Sequence, residues 1–290
     1  MSYLRKPEWL KIAKGAPRCG HVNEILVRHH LNTVCEQAGC PNRGECYKSG
    51  TATFMLLGKN CTRNCRFCKV TKDSPEQLDP HEPLNVAKAV AEMQISHAVI
   101  TSVTRDDLED GGAEHFAKTI LAIRELSPST TIEVLIPDFE GNEQALRLVV
   151  NAKPEIINHN VETVPALYPD VRPMAIFNRS LELLGLVKKI DDSIITKSGL
   201  MVGLGETATQ VAELLHSLRS VNCDIVTIGQ YLQPSKEHLQ LVEYIRPDQF
   251  KKYEELAYKL GFKYVASGPL VRSSYHAGDG LHAMLLAARQ

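Results

Sequence analysis

Residues 51–68 read TATFMLLGKNCTRNCRFC, and this stretch joins the first predicted strand to three closely spaced cysteines. The apolar, β-rich run at residues 51–57 predicts a buried strand. It is followed directly by Cys61, Cys65 and Cys68, three thiolates on one short loop. That arrangement suits an iron–sulfur cluster whose fourth iron has no cysteine ligand, and such an iron can bind a substrate.

Downstream of residue 51, short apolar runs alternate with amphipathic stretches, which predicts βα units around a parallel sheet. Six units are fewer than the eight of a closed barrel, so we expect an α/β fold, a partial (β/α)6 TIM-like barrel with an open mouth. The predicted strands span 51–57, 97–102, 131–136, 155–160, 194–202 and 224–229, with a further strand near 262–266. The predicted helices span 85–93, 113–126, 143–151, 178–188, 207–221 and 247–260.

The chain is expected to have three parts. Residues 51–268 form the partial barrel, residues 1–50 an N-terminal extension, and residues 269–290 a C-terminal extension. Both extensions are expected to cover the open mouth, where the loops that follow the strands build the active site of such folds.

Composition narrows the class of protein. Hydrophobic residues make up 43% of the 290 residues and charged residues 23%, with no stretch apolar enough to cross a membrane. The net charge of -1 excludes the broad positive field of a general nucleic-acid binder. The N-terminus lacks the apolar run of a secretory signal, so we expect a soluble, cytoplasmic protein without a nucleic-acid or membrane partner.

Six of the eight cysteines fall into two triplets, the second at residues 61–68 and the first formed by Cys35, Cys40 and Cys46. In a reducing compartment clustered cysteines are more often metal ligands than disulfides, and triplets pair poorly. Zinc is an alternative, since a distant histidine or cysteine could complete a four-ligand site for each triplet.

Polar residues follow the other predicted strands at the same rim of the sheet. A cofactor with hydroxyl and amino-acid groups could bind there, although each residue could instead cap a helix or solvate a loop. The set comprises Thr101, Ser102, Thr104, Arg105, Asp138, His159, Asn160, Glu162, Gln230 and Tyr231.

The spacing C-x-x-x-C-x-x-C, with Phe67 before the last cysteine, resembles the signature of the radical S-adenosylmethionine (SAM) superfamily. The first triplet, within CEQAGCPNRGEC at residues 35–46, resembles the auxiliary-cluster motif of the lipoyl synthase family. The resemblance extends over nearly the whole chain, through residues 101–108 (TSVTRDDL), 110–113 (DGGA), 158–163 (NHNVET), 197–201 (KSGLM), 229–234 (GQYLQP) and 272–277 (RSSYHA).

This resemblance implies two [4Fe–4S] clusters. One, held by Cys61, Cys65 and Cys68, would bind SAM and cleave it with one electron to a 5′-deoxyadenosyl radical. The other, an auxiliary cluster, would be held by Cys35, Cys40 and Cys46, with Ser273 as fourth ligand and Ser274 as the adjacent alternative. A hard alkoxide on a thiolate-held cluster should be easily displaced, which suits a cluster that is dismantled to supply sulfur.

The resemblance also implies the reaction and its partners. The enzyme would be a radical SAM sulfurtransferase that inserts two sulfur atoms at C6 and C8 of an octanoyl group on a lipoyl carrier domain or protein, giving the lipoyl cofactor. It would need a reducing electron donor and an iron–sulfur carrier that repairs the auxiliary cluster.

The SAM contacts implied by the resemblance lie at the strand ends. They are Thr101 and Ser102 for the methionine end, Asn160 and Glu162 for the ribose, and Met201 and the backbone at Gln230 for the adenine. Arg272 could contact substrate or cluster, or make a surface ion pair. The rival readings are a methylthiotransferase, which also combines two clusters, and a binding module without catalysis.

Overall fold

The strands of the chain form one open sheet in the computed structural model, which describes residues 5–11, 20–48, 52–275 and 277–287. Its eight strands, in spatial order, are β1 Asn32–Thr33, β2 Thr53–Leu56, β3 His97–Ser102, β4 Thr131–Leu135, β5 Ile156–Asn158, β6 Ile195–Val202, β7 Ile225–Gln230 and β8 Tyr264–Gly268. Strand β1 is antiparallel to β2, and β2 to β8 are parallel. No described pairing joins β1 to β8, which confirms the open, partial barrel.

The helices alternate with the strands as expected. They are α1 Gly20–Arg28, α2 Val34–Gln37, α3 Arg43–Lys48, α4 Glu82–Glu92, α5 Ala113–Leu126, α6 Glu143–Asn151, α7 Tyr168–Val171, α8 Phe177–Ile190, α9 Ala208–Ser220, α10 Pro247–Lys259 and α11 Ala277–Ala287. The six predicted helices are all present, as α4, α5, α6, α8, α9 and α10. The additional predicted strand near 262–266 also forms, as β8, so the barrel has seven parallel strands rather than six.

Alternate residues of each strand point to opposite sides of the sheet. Ile132 and Val134 of β4 are fully buried in the main core with the helices, whereas Glu133 between them points to the barrel interior. There Lys197 of β6 donates to both oxygens of Glu133 at 2.9 and 3.0 Å. Although burial opposes ionisation, the charge of Lys197 lowers the pKa of Glu133. The barrel interior therefore contains a paired, buried charge.

The two ends of the chain add to this barrel in different ways. Strand β1 extends the sheet beside β2, and α1 contributes Val22 and Ile25 to the main core. Helix α11 packs Leu281 against Ile156 and Ile225, the first residues of β5 and β7. It therefore lies at the end of the barrel opposite the cysteine loop. The segment that precedes α11, residues 270–275, lies at the mouth, so the C-terminal extension is divided between the two ends.

Within the described residues, no helix combines the length and the apolar character needed to cross a membrane. The division of the chain at residues 50 and 268 stays a prediction.

Candidate active site at the two cysteine triplets

The loop that carries Cys61, Cys65 and Cys68 starts where β2 ends and is fixed by backbone hydrogen bonds. The Cys61 amide donates to Thr71 at 2.8 Å, and the Thr104 amide donates to the Cys61 sulfur at 3.3 Å. The Arg66 amide donates to Val171 at 2.9 Å. The loop thus contacts the connections that follow β3 and β5, as expected for an active site at the carboxyl ends of the strands.

Arg63, between the first two cysteines of this loop, is a buried anchor. Its guanidinium donates two hydrogen bonds to Asp106 at 2.8 Å and one to Asp138 at 2.6 Å. Burial alone would raise the pKa of Asp138, but the hydrogen bond and charge of Arg63 lower it to about 2. Two carboxylates from the loops after β3 and β4 thus hold the cysteine loop through one side chain.

A strained turn directs the chain from β2 into the cysteine loop. Leu57 and Gly58 both have left-handed backbones, with φ of 70° and 92°. The Leu57 amide donates to the buried Glu82 at 2.9 Å, and Arg105 donates to the Leu57 carbonyl at 3.2 Å. His115 lies 2.8 Å from the same Glu82 oxygen. A non-glycine residue in this conformation persists because its surroundings fix it.

The thiols of this loop are grouped and partly buried. Burial, together with the charge of Cys61, raises the pKa of Cys65. Burial, together with the charges of Cys65 and Cys61, raises the pKa of Cys68 to about 12. Thiolates gathered in such a place need a positive charge, and metal coordination supplies one because a coordinating thiol is deprotonated. The residues therefore fit a cluster held by this triplet.

The first triplet lies on α2, α3 and the turn between them. Cys35 is buried and hydrogen-bonded to Thr53, the first residue of β2. The Cys40 amide donates to Cys35 at 3.1 Å. Burial, together with the charges of Cys35 and Cys40, raises the pKa of Cys46 to about 12. These three thiols therefore also form an electrostatic group that fits a cationic cluster.

The two triplets lie on adjacent loops. Lys69 directly follows Cys68, and its Nζ lies 3.3 Å from the place that a side chain at Gly39 would occupy. Gly39 directly precedes Cys40, so one lysine side chain spans from the second triplet to the first.

Among the described residues, no set of three His, Cys, Asp or Glu side chains converges on a point suited to a single metal ion. In an iron–sulfur cluster each cysteine binds a different iron, so convergence on one point is not required. None of the seven described cysteines is in a disulfide.

The C-terminal segment at residues 270–275 lies against the first triplet. Asn42 donates to the Leu270 carbonyl at 2.9 Å, and the Tyr275 hydroxyl donates to Glu45 at 3.0 Å. Arg272 interacts electrostatically with Cys40, and Tyr275 with Cys46. Ser273 and Ser274 therefore lie in a segment whose neighbours contact this triplet on both sides.

Three side chains predicted to contact SAM differ in whether their polar atoms already have a hydrogen-bond partner. The Thr101 hydroxyl donates to the Leu135 carbonyl at 2.9 Å. By contrast, the Ser102 hydroxyl and the Asn160 side-chain oxygen are buried and have no hydrogen-bond partner in the part of the chain that the structure describes. Buried polar atoms rarely stay unpaired, so these two atoms are the better candidates for binding a polar ligand.

Glu162 occupies a left-handed backbone position, with φ of 65°, where the chain leaves β5 and bridges to β6. Its carbonyl accepts from the Met201 amide at 2.8 Å. Burial raises the pKa of Glu162, whereas the nearby Arg172 opposes this. Arg172 is itself buried and donates to the Asn160 carbonyl at 2.9 Å. It also interacts electrostatically with Cys65.

The Gln230 side chain is fully occupied by backbone groups. Its amide nitrogen donates to the carbonyls of Val202, Tyr231 and Glu243 at 3.1 Å, and its oxygen accepts from the Ile245 amide at 2.8 Å. A contact to adenine here would have to come from the backbone.

Met201 and Phe67 of the cysteine loop both pack against a small apolar cluster that contains Tyr231. A flat apolar group of a ligand could be held against this cluster.

His159 has a structural position rather than a site-lining one. Its ring nitrogens bond the Ile136 carbonyl and the Ser180 hydroxyl, both at 2.9 Å. Burial lowers its pKa to about 4, so it is neutral at pH 7. His276, the other histidine in the resembled stretches, lies outside the described residues.

Sequence reasoning did not assign a role to Arg63, Glu82 or Arg172. Each is a charged residue that the local sequence does not mark as buried. The one available signal was that Arg63 falls inside the cysteine spacing itself.

Comparison with known proteins agrees with this site. Residues 55–218 match the radical SAM superfamily, so the chain is a radical SAM protein. A lipoyl synthase from Caldanaerobacter subterraneus subsp. tengcongensis is 59% identical over 278 residues, covering 96% of this chain and 98% of that protein. A lipoyl synthase from Alkaliphilus metalliredigens is 54% identical, covering 97% of each chain. The chain belongs to the lipoyl synthase family.

Solved structures share the fold at low sequence identity. Coproporphyrinogen III oxidase from Escherichia coli, a radical SAM enzyme, is 13% identical with a TM-score of 0.54, covering 79% of this chain and 57% of that one. Methylornithine synthase is 13% identical with a TM-score of 0.50, covering 77% and 72%. These likenesses support the barrel architecture alone.

Proposed function

We propose that this chain inserts two sulfur atoms at C6 and C8 of a protein-bound octanoyl group, giving the lipoyl cofactor. The observation that carries the proposal is that the two cysteine triplets lie on adjacent loops at the mouth of the barrel. Lys69, next to Cys68, reaches the residue that precedes Cys40. A radical source and a sulfur source have to act on the same substrate carbons, so they have to be neighbours.

Cys61, Cys65 and Cys68 would hold the [4Fe–4S] cluster that binds SAM. When both are bound, the cluster and SAM would supply a radical. A radical is needed because unactivated C–H bonds have no acidity for a general base to exploit. Arg63 and its two aspartates would keep the cysteine loop in one conformation. The unpaired oxygens of Ser102 and Asn160 would orient SAM from the strand ends, with Thr101 and Glu162 beside them.

Cys35, Cys40 and Cys46 would hold the auxiliary [4Fe–4S] cluster that donates sulfur, with Ser273 as fourth ligand. The support for Ser273 is its position between Arg272, which interacts with Cys40, and Tyr275, which interacts with Cys46. An oxygen ligand is more weakly held than a thiolate on such a cluster, so Ser273 could leave when the cluster is consumed.

The partners follow from this reaction. They would be an octanoylated lipoyl carrier domain or protein, a reducing electron donor, and an iron–sulfur carrier that rebuilds the auxiliary cluster. A cytoplasmic location stays a prediction.

The test is the iron, sulfide and zinc content of anaerobically reconstituted protein. We expect about eight irons per chain, falling to about four when Cys61, Cys65 and Cys68 are replaced by alanine. About four irons in the unaltered protein would remove the auxiliary sulfur donor. Stoichiometric zinc with little iron would contradict the radical reaction altogether.

A further inference from the structure

The segment that carries Ser273 is hydrogen-bonded to the loop that carries the first triplet, at one point before the serine and one point after it. Before it, Asn42 donates to the Leu270 carbonyl at 2.9 Å. After it, the Tyr275 hydroxyl donates to a Glu45 oxygen at 3.0 Å. We name these four residues the serine clamp.

Both loop residues of the serine clamp lie between Cys40 and Cys46 in the sequence. The loop that supplies two of the three thiols is therefore also hydrogen-bonded to the serine segment. Asn42 is only 5% exposed, so its hydrogen bond to Leu270 is shielded from water. The backbone of Val271 adds a third constraint, because its carbonyl lies 2.3 Å from the place that a side chain at Gly229 would occupy.

We propose that Tyr275 and Asn42 are positioning residues that present Ser273 to the auxiliary cluster, a proposal that rests on the function proposed above. A serine oxygen is an unfavourable ligand for a thiolate-held cluster, so its occupancy depends on how well it is placed beforehand. A tethered ligand binds at a high effective concentration, and restricting it further removes the cost of ordering it.

The hydrogen bonds of the serine clamp join protein groups only and need no cluster. The serine segment is therefore held before the cluster is inserted and again after it has been consumed. This would return the serine to the same place each time the cluster is rebuilt.

The test uses full-length protein with Cys61, Cys65 and Cys68 replaced by alanine, so that all bound iron belongs to the auxiliary cluster. Iron loss to an external chelator is followed after reconstitution. Tyr275→Phe removes the donated hydrogen bond and keeps the ring, so we expect iron loss about tenfold faster, the size expected for a lost hydrogen bond to a charged group. Asn42→Asp replaces the donor by an acceptor, and a similar acceleration is expected.

A double variant tests whether the two partners act through one bond. Glu45→Ala alone should accelerate iron loss as Tyr275→Phe does, and combining them should add nothing further. In Mössbauer spectra, the iron with an oxygen ligand should lose its distinct signal in Tyr275→Phe, a change that general loosening of the fold would not confine to one iron. Tyr258→Phe, the same chemical change in α10, serves as the control and should leave iron loss unchanged.

The iron content tests the auxiliary cluster, and the rate of iron loss tests the serine clamp. If the parent protein lacking the second triplet binds no iron, the proposed auxiliary cluster is wrong and the serine clamp has no role. If the parent binds about four irons and both Tyr275→Phe and Asn42→Asp lose them at the parent rate, the proposed function stands and the serine clamp is overturned.

Discussion

The two cysteine triplets are held by different kinds of contact. The loop of the second triplet is tied by backbone hydrogen bonds to distant barrel connections, including those from Thr62 to Thr104 and from Arg66 to Val171. The described backbone bonds of Cys40 and Cys46 are local, to Cys35 and Asn42. Contacts of the first triplet loop with distant residues come mainly from side chains, as in the serine clamp.

This difference fits the different tasks proposed for the two sites. A cluster that is used repeatedly benefits from a loop fixed by the barrel scaffold, since scaffold elements hold ligands more precisely than loops do. A cluster that is dismantled and rebuilt benefits from a site that can open without disturbing the barrel. Cys40 and Cys46 suit this task because they lie on a turn and a short helix beside a terminal segment, whereas Cys35 is anchored in the barrel core beside β2.

Cysteine replacement gives the largest expected effect and separates the two sites. Cys65→Ala should abolish both 5′-deoxyadenosine formation and sulfur insertion, because the radical source is lost. Cys40→Ala should abolish sulfur insertion while 5′-deoxyadenosine formation remains measurable. Both products are quantified in the same anaerobic assay. Full lipoyl product from Cys40→Ala would show that the first triplet is not the sulfur donor.

Removing Arg63 should destabilise the second site alone. Arg63→Ala removes the cation bound to Asp106 and leaves Asp138 with the longer contact to Arg179 at 3.5 Å. Breaking a buried ion pair costs about 3–5 kcal/mol. Urea unfolding of the cluster-free protein measures this cost, and iron analysis should show loss of about four irons. Arg63→Lys should recover only part of the stability. Lysine keeps the positive charge but cannot make the bidentate contact with Asp106. Loss of all iron would mean that the two sites are not independently supported.

Gly229→Ala should disturb the first site alone. The new methyl group would lie 2.3 Å from the Val271 carbonyl, so the serine segment has to move, at a cost of roughly 1–3 kcal/mol. We expect faster chelator removal of the auxiliary cluster and unchanged 5′-deoxyadenosine formation. Gly268→Ala is the matched control, because its methyl would be in ordinary van der Waals contact with a Val271 side-chain carbon at 3.4 Å. Equal iron loss from both variants would contradict the contact.

The fold of the barrel is largely readable from the sequence, because each βα unit is a local pattern. Helices α5 and α6 coincide with their predicted bounds, and β3 does as well. Strand β1 was not predicted, since two residues carry no periodicity and pair only because β2 lies beside them. The position of α11, at the end of the barrel opposite the cysteine loop, likewise depends on contacts between distant residues.

The cysteines of the site are readable from their spacing, whereas the residues that support them are not. Arg63 and Arg172 look like ordinary charged loop residues, and only the folded chain shows that both are buried. Gln230 was predicted at the rim, and the structure shows its side chain bonded to four backbone groups. Local sequence shows which residue types are present, but not which of their polar atoms already have hydrogen-bond partners in the folded chain.

Acidification should weaken the ion pair between Asp138 and Arg63 that supports the second cysteine loop. The pKa of Asp138 is about 2 in the folded protein, below its ordinary value of 3.8. The ionised Asp138 side chain therefore contributes about 2 kcal/mol to the free energy of unfolding. This contribution is fully present above about pH 5 and is lost as the pH falls toward 2. The stability difference between the cluster-free protein and Asp138→Asn should be constant from pH 8 to 5 and shrink below pH 4. A difference that grew on acidification would contradict the assignment.

The smallest expected effect lies in the scaffold that both sites share. Thr207 caps α9, accepting from the Gln210 amide at 3.2 Å, while the Gln210 side chain accepts from the Thr207 amide at 2.9 Å. Thr207→Ala should cost about 1 kcal/mol of unfolding free energy, the usual value for a lost cap. Since the two hydrogen bonds of this cap lie within its own helix, both clusters should keep their iron and their rates of loss. A selective loss of one cluster would mean that α9 supports that triplet directly, and that the two sites differ in their scaffold as well as in their local contacts.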